Sequence, residues 1–354
     1  MKITKVEFTS IKVPFVPFMD VLNSGENALA AIPKIIVQVH TDEGIVGLGE
    51  TERGVSEEHL QNAASLLLGR DPLGMNLQSL GLPHGMNAAF EQAVHDIVGK
   101  ALKVPVYRLL GGVYRGDVPV SAWSPHHGER NPEKTATIAK LAADRGYRVI
   151  KLKARPWDIV ETVQAIERAV GADMGVVCDP NMAFGLLSVA VKLARKLERH
   201  NIVCFEDPVP KGELSWYVLM RQKIDIPIAL HIGGIDIINA VKEGACDYIN
   251  TGGTMHEFKK YAGIAEVAGI PVWHGSGNDL GIMEASYVHA CATTRNATLT
   301  SDVFGEFCRV DDLLAEPIEI KDGLAKVPQK PGLGVELDEK ALRRYQAGKS
   351  RVVS

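Results

Sequence analysis

Two lysines one residue apart, Lys151 and Lys153, close the short apolar run "VIKLKA". In an extended segment side chains alternate at period 2, so both lysines point to one side and Leu152 to the other. Two ammonium groups on one face repel, which favours loss of a proton from one of them. A lysine acting as a general base near neutral pH needs that. Two further runs end on carboxylates, "VVCDP" on Asp179 and "CFEDP" on Glu206. Carboxylates on neighbouring strands either share a proton or bind a divalent cation. The combination suits one hard task, removing a proton from the carbon next to a carboxylate. A cation would offset the resulting charge and the amine would take the proton. A third run, "IPIALHIGG", finishes on His231 before turning on two glycines. A lone histidine is ordinarily a core or surface group. In company with Asp179 and Glu206 it becomes a candidate ligand or substrate contact.

Such a set works only if the strand ends converge. After about residue 113, β-branched runs recur every 20–30 residues or so: "VPVSAW", "YRVIKLKA", "MGVVCDP", "IVCFEDP", "IPIALHI", "CDYINTG", "PVWHG" and "ATLTSDVF". Helical patterns lie between them. Ile159, Val163, Ile166 and Val170 share one helix face, as do Leu193 and Leu197. Unbroken βα spacing predicts an α/β fold, a (β/α)7–8 TIM-type barrel over residues 113–314, with chemistry at the C-terminal strand ends. A doubly wound sheet is the runner-up, but no glycine-rich phosphate turn follows the first run. The ring of ends would hold Lys151 and Lys153, Asp179 and Asn181, Glu206 and Asp207, His231, Asn250 and Thr251, His274, and Asp302 or Glu306. Any one of these could be a helix cap or a solvated turn residue; their convergence is the argument. Residues 1–112 read as an α+β unit: three strands in a meander, then helices beginning after Ser56 and near Ala88. Residues 315–354, with "EPIEI", an Asp322-Gly323 turn and "GLGVEL", are expected to return to that unit.

The net charge of −4 gives no reason to expect nucleic acid or an anionic membrane as a partner. The N-terminus alternates like a strand, and no apolar run approaches the roughly 18 residues of a membrane span. Five cysteines without C-x-x-C spacing fit a reduced, cytoplasmic protein.

Read in order, "VIKLKA", "VVCDPN", "CFEDP" and "HGSGNDLGI" resemble the enolase superfamily, in its mandelate racemase and muconate-lactonising branch. "GIVGLGE", "LLLGRDPL" and "AVHDIVGKALKVPVYRLLGG" are similar to the capping domain of that family, and "PGLGVELDEKAL" to its C-terminal segment. The resemblance implies Lys153 as the base and Lys151 as its electrostatic partner. It implies Asp179 and Glu206 as two of three ligands to Mg2+, and His274 as the catalyst on the opposite face of the substrate. Residues 15–31 correspond to the loop that closes over substrate, with Phe15, Phe18 and Met19 as its expected contacts. Asn181 is a further expected contact. Strand eight contributes Asp302 or Glu306. The partner is a small carboxylate, and an even-numbered homo-oligomer is expected.

Three departures stand out. The third-ligand register holds His231, a nitrogen donor that suits Mn2+, Fe2+ or Zn2+ better than Mg2+. "DYINTGG" reaches its glycine pair at once, so the strand-six lysine of muconate-lactonising members is absent. The aspartate that would raise the basicity of His274 is absent too. A weak second base favours dehydration of a small hydroxy acid or sugar acid over racemisation or epimerisation. Two other readings stay open: an impaired barrel that only binds, and a Schiff-base aldolase using Lys153.

Overall fold

The computed structural model describes residues 1–16, 31–82, 87–126 and 131–354. β1 (Ile3–Pro14), β2 (Ala31–Thr41) and β3 (Val46–Glu50) form the expected antiparallel meander. β4 (Asp117–Pro119) follows. Then come seven short strands: β5 (Ala122–Ser124), β6 (Val149–Lys153), β7 (Gly175–Asp179), β8 (Ile202–Glu206), β9 (Ile228–His231), β10 (Tyr248–Thr251) and β11 (Val272–His274). Each pairs in parallel with the next, and helices connect them. The eighth run contributes a single parallel bridge between Ser301 and Val120 rather than a strand. Main-chain hydrogen bonds from Ser121 and Ser301 close the ring there, at 3.0 Å each.

The alternation of the barrel strands is legible in their packing. Val177, Cys204, Ala229 and Trp273 make a small cluster on one face, with Val149, Val203 and Tyr248 against it. Their neighbours Ile150, Leu152, Val176, Cys178, Phe205, Leu230, Ile249 and Val272 join the large core under the helices. The first set lines the barrel interior, and that parity carries Lys151, Lys153, Asp179, Glu206, His231 and Asn250 inward with it.

The tail divides. β12 (Ile320–Lys321) and β13 (Leu324–Lys326) form a hairpin on β4, at the start of the barrel. β14 (Arg351–Val353) pairs with β1 in the N-terminal sheet. The return to the first unit is therefore made by the last residues, through Gln346 and Ala347 against β1 and then β14, and the "EPIEI" region stays with the barrel.

Two carboxylates of the N-terminal unit cap barrel helices. Glu50, at the end of β3, accepts from Leu280 N (2.8 Å) and Met283 N (3.0 Å) at the start of the helix Gly281–Ala292. Glu91, on the helix Asn87–Leu102, accepts from Met255 N (2.7 Å) and His256 N (3.2 Å) of the helix Met255–Val267. Lys34 reinforces the first joint, 2.5 Å from Asp279 and 3.3 Å from Glu50, with all three buried. Orphan helix-terminal N–H groups are thus satisfied across the interface, which fixes the N-terminal unit over the strand-seven end of the barrel.

Candidate active site

Lys151 is the hub of the inner ring. Its Nζ lies 2.8 Å from Glu206 Oε2, 3.1 Å from Asp302 Oδ2 and 3.3 Å from Asp179 Oδ2, with the side chain only 4% exposed. Burial alone would lower its pKa, but the three carboxylates outweigh burial and hold it well above the ordinary lysine value. Lys153 is 25% exposed and reaches Asp179 Oδ2 at 2.5 Å. The repulsion expected from the sequence therefore does not discharge Lys151: it remains an ammonium, and Lys153 is the lysine that faces the opening.

The carboxylates divide the same charge. Burial raises Asp179, yet Lys151 and Lys153 more than reverse it, and its pKa lies below the ordinary value. Asn181 donates its backbone N–H to Asp179 Oδ1 at 2.9 Å, while its own side chain is exposed. Burial pushes Glu206 up to about 7 against the pull of Lys151. Glu206 Oε1 accepts from Lys151 (3.1 Å) and from Asn250 Nδ2 (2.8 Å). Its other oxygen, Oε2, is buried and makes no hydrogen bond of sound geometry.

His231 stands beside that carboxylate, Nδ1 to Oε1 3.7 Å, with 44% of its side chain exposed. Burial first, and then Lys151, lower its pKa to about 4, so the imidazole is neutral and its lone pair is available. Asp207 and Lys211 hold its peptide on both sides. Asp207 Oδ1 accepts from His231 N at 2.9 Å, and Lys211 Nζ donates to His231 O at 2.9 Å. Glu206, Asp207 and His231 each offer a ligand atom within 4.8 Å of the others. Two carboxylates and an imidazole fit a divalent cation, and the nitrogen favours a transition ion. Asp207 was present in the "FEDP" run without a role; its left-handed φ of 46° turns it away from strand parity. Asn250 also had no assigned role, although alternation from Tyr248 would have turned it inward.

Three expected residues are placed differently from the expectation. Because Trp273 faces inward, His274 faces out. Its ring stacks on Tyr287 at 3.9 Å and lies 4.7 Å from Phe258, both on helices. Nδ1 contacts the carbonyl of Gly275 at 2.6 Å, and burial lowers its pKa to about 4. Its ring also borders the cavity beside Gly252, with Nε2 buried and without a hydrogen-bond partner. Glu306 is engaged by the Tyr147 hydroxyl (2.5 Å) and by Arg145 (3.5 Å), away from Lys151, so the strand-eight position at the ring is filled by Asp302. Phe15 is buried in the core and bridged to Arg309. Phe18 and Met19 fall outside the described residues. At the rim, His126 Nε2 pairs with Asp158 Oδ2 at 3.0 Å beside Trp157, joining the loops after β5 and β6.

Residues 134–341 match the family described as enolase C-terminal domain-like, and residues 25–111 match the mandelate racemase / muconate lactonizing enzyme N-terminal domain. The chain belongs to the mandelate racemase and muconate-lactonising branch of the enolase superfamily. Within that branch it is 31% identical to the N-succinylamino acid racemase of Thermus thermophilus, over 83% of this chain and 85% of that one. It is 30% identical to the D-xylonate dehydratase of Haloferax volcanii, over 88% and 85%. The solved structure of an N-succinyl Arg/Lys racemase from Bacillus cereus superposes over the full length of both chains with a TM-score of 0.84 at 25% identity. This member of the superfamily is an enzyme, a lyase or an isomerase.

Proposed function

We propose that this enzyme dehydrates a small hydroxy acid or sugar acid, taking the proton α to the carboxylate with Lys153. The observation that carries the reading is the asymmetry of the ring. Lys153 stands on one side, and the inward positions of strands six and seven are Asn250, Gly252, Trp273 and Gly275. None of those four inward side chains is a base, and His274, on the outward parity, borders the adjoining cavity with its ring held in a stack on Tyr287. Inversion at carbon needs a base on each face, whereas elimination needs one.

Asp179, Glu206 and His231 would hold the cation, with Asp207 orienting His231. The ion would supply compensation for negative charge growing on the substrate carboxylate. Lys151, fixed as an ammonium, adds a second positive charge at the same place. Lys153 Nζ takes the α-proton, and the electrons of that C–H bond pass into the enediolate. They then form the C=C bond as the β C–O bond breaks. The proton on Lys153 leaves with the departing hydroxide as water, and the enol becomes a keto acid. Acid and base are thus one amine, working on one face.

Racemisation of an acylated amino acid is the second reading, favoured by similarity to the Thermus thermophilus and Bacillus cereus racemases. A panel of hydroxy acids, sugar acids and acyl amino acids with Mg2+ or Mn2+ separates the two, read for keto acid and for α-proton exchange together. Keto acid from a hydroxylated substrate is expected. Inversion of an acyl amino acid without keto acid would overturn the proposal.

A further inference from the structure

A cavity of about 290 Å³ opens beside the ring, walled by His231, Gly252, Gly275 and Gly277 of the barrel and by Glu52 and Arg53 of the N-terminal unit. That is the small end of the range for ligand cavities. It shares a wall with the metal-side residues, because His231 lines it and approaches Glu206. Its existence follows from strand six. Inward parity runs Tyr248, Asn250, Gly252, and the chain then enters the Thr254 capping box of the next helix directly. A Cβ at Gly252 would meet only His274 Cε1, at 3.6 Å, an ordinary contact. A Cβ at Gly275 would strike Asn250 Oδ1 at 2.6 Å, which turns that wall into bare backbone.

Most of the lining can hydrogen-bond. Peptide groups of the glycines, Ser276, Glu52, Arg53, Asp279 and the rings of His231, His274 and Tyr287 line it, and no aliphatic side chain contributes. Arg53 forms no ion pair among the described residues. An alkyl tail placed here would cover peptide groups without replacing their hydrogen bonds, which is unfavourable. A chain of hydroxyls can replace water at each of them. We infer that this cavity receives the hydroxylated tail of the substrate, that Gly252 sets its size, and that the substrate is a sugar acid of several carbons. This rests on the reading that the substrate carboxylate sits at the Lys153 ring.

Calorimetric titration of the Mg2+- or Mn2+-loaded protein tests it, using lactate, a six-carbon aldonate and N-acetyl-leucine. The aldonate is expected to bind at least about tenfold tighter than lactate, as two or three extra hydrogen bonds would give. Gly252→Leu fills the cavity at a backbone conformation any residue adopts. It is expected to erase that preference and to leave lactate within about twofold, the size of effect expected when no contact is altered. Gly252→Ala, whose methyl has room, should show a smaller loss in the same direction. No aldonate preference in the wild type, tighter binding of N-acetyl-leucine, or equal weakening of lactate and aldonate by Gly252→Leu would each overturn the assignment. Because binding is read rather than turnover, an aldonate that binds with this preference but yields no keto acid would sink the dehydratase reading and leave the cavity's ligand standing.

Discussion

Lys151 and Lys153 are the same residue type on the same strand face, and burial gives them opposite roles. Lys151 neutralises three buried carboxylates. Lys151→Met would leave those charges uncompensated and should cost about 3–5 kcal/mol of stability. Lys153→Met should melt close to wild type, while turnover falls by about 10²–10⁴. Thermal melts beside keto-acid assays check the pair; equal melting of the two variants would contradict the division of labour. His274 makes the opposite prediction to the one its strand-end position suggests. His274→Phe keeps the stack on Tyr287 and Phe258, so turnover should stay within a few-fold, whereas a catalytic base would lose orders of magnitude. The sequence made the lysine pair, Asp179, Glu206 and His231 legible because each ends a run long enough to show alternation. "PVWHG" forms a strand of only three residues, so nothing in it says whether Trp273 or His274 faces inward. The packing of Trp273 against Val177, Cys204 and Ala229 decides that, and such a contact is not local in sequence.

At the scale of elements, the two helix caps supplied by Glu50 and Glu91 join the N-terminal unit to the barrel. Burial raises the Glu91 pKa to about 7 against an ordinary value of 4.5. Between those values the folded protein holds a proton that the unfolded chain has lost, so stability falls as pH rises through the window and levels off above it. Glu91→Gln should flatten part of that slope, leaving the shares of Glu206 and Glu284, which burial also raises to about 7. Melting temperatures at pH 5 and pH 7.5 read this directly; an unchanged slope would mean that Glu91 is ionised throughout. The seven parallel strands were readable from spacing because each βα unit repeats the same pattern. The eighth was not, since "ATLTSDVF" looks like a strand but finds only the Val120–Ser301 bridge. The hairpin of β12 and β13 was likewise readable as a hairpin, though not its partner: pairing with β4 joins segments some 200 residues apart, and local pattern carries no information about that.

For the molecule as a whole, the N-terminal unit brings Glu52 and Arg53 to the rim while the barrel supplies the charged ring beneath. If a divalent cation completes that ring, as proposed, chelation should abolish activity, and Mn2+ should restore it better than Mg2+ because of His231. His231→Ala should narrow the difference between the two metals. Ranked restoration after EDTA treatment measures both, and a wild-type preference for Mg2+ would remove His231 from the ligand set. The central claim is that one base, on one face, does the chemistry. It is tested most directly by incubating the enzyme and its cation with a chiral sugar acid in D₂O and recovering the acid before turnover is complete. The account predicts keto acid as product, with the remaining substrate unchanged in configuration. Recovery of the α-epimer carrying deuterium would contradict it.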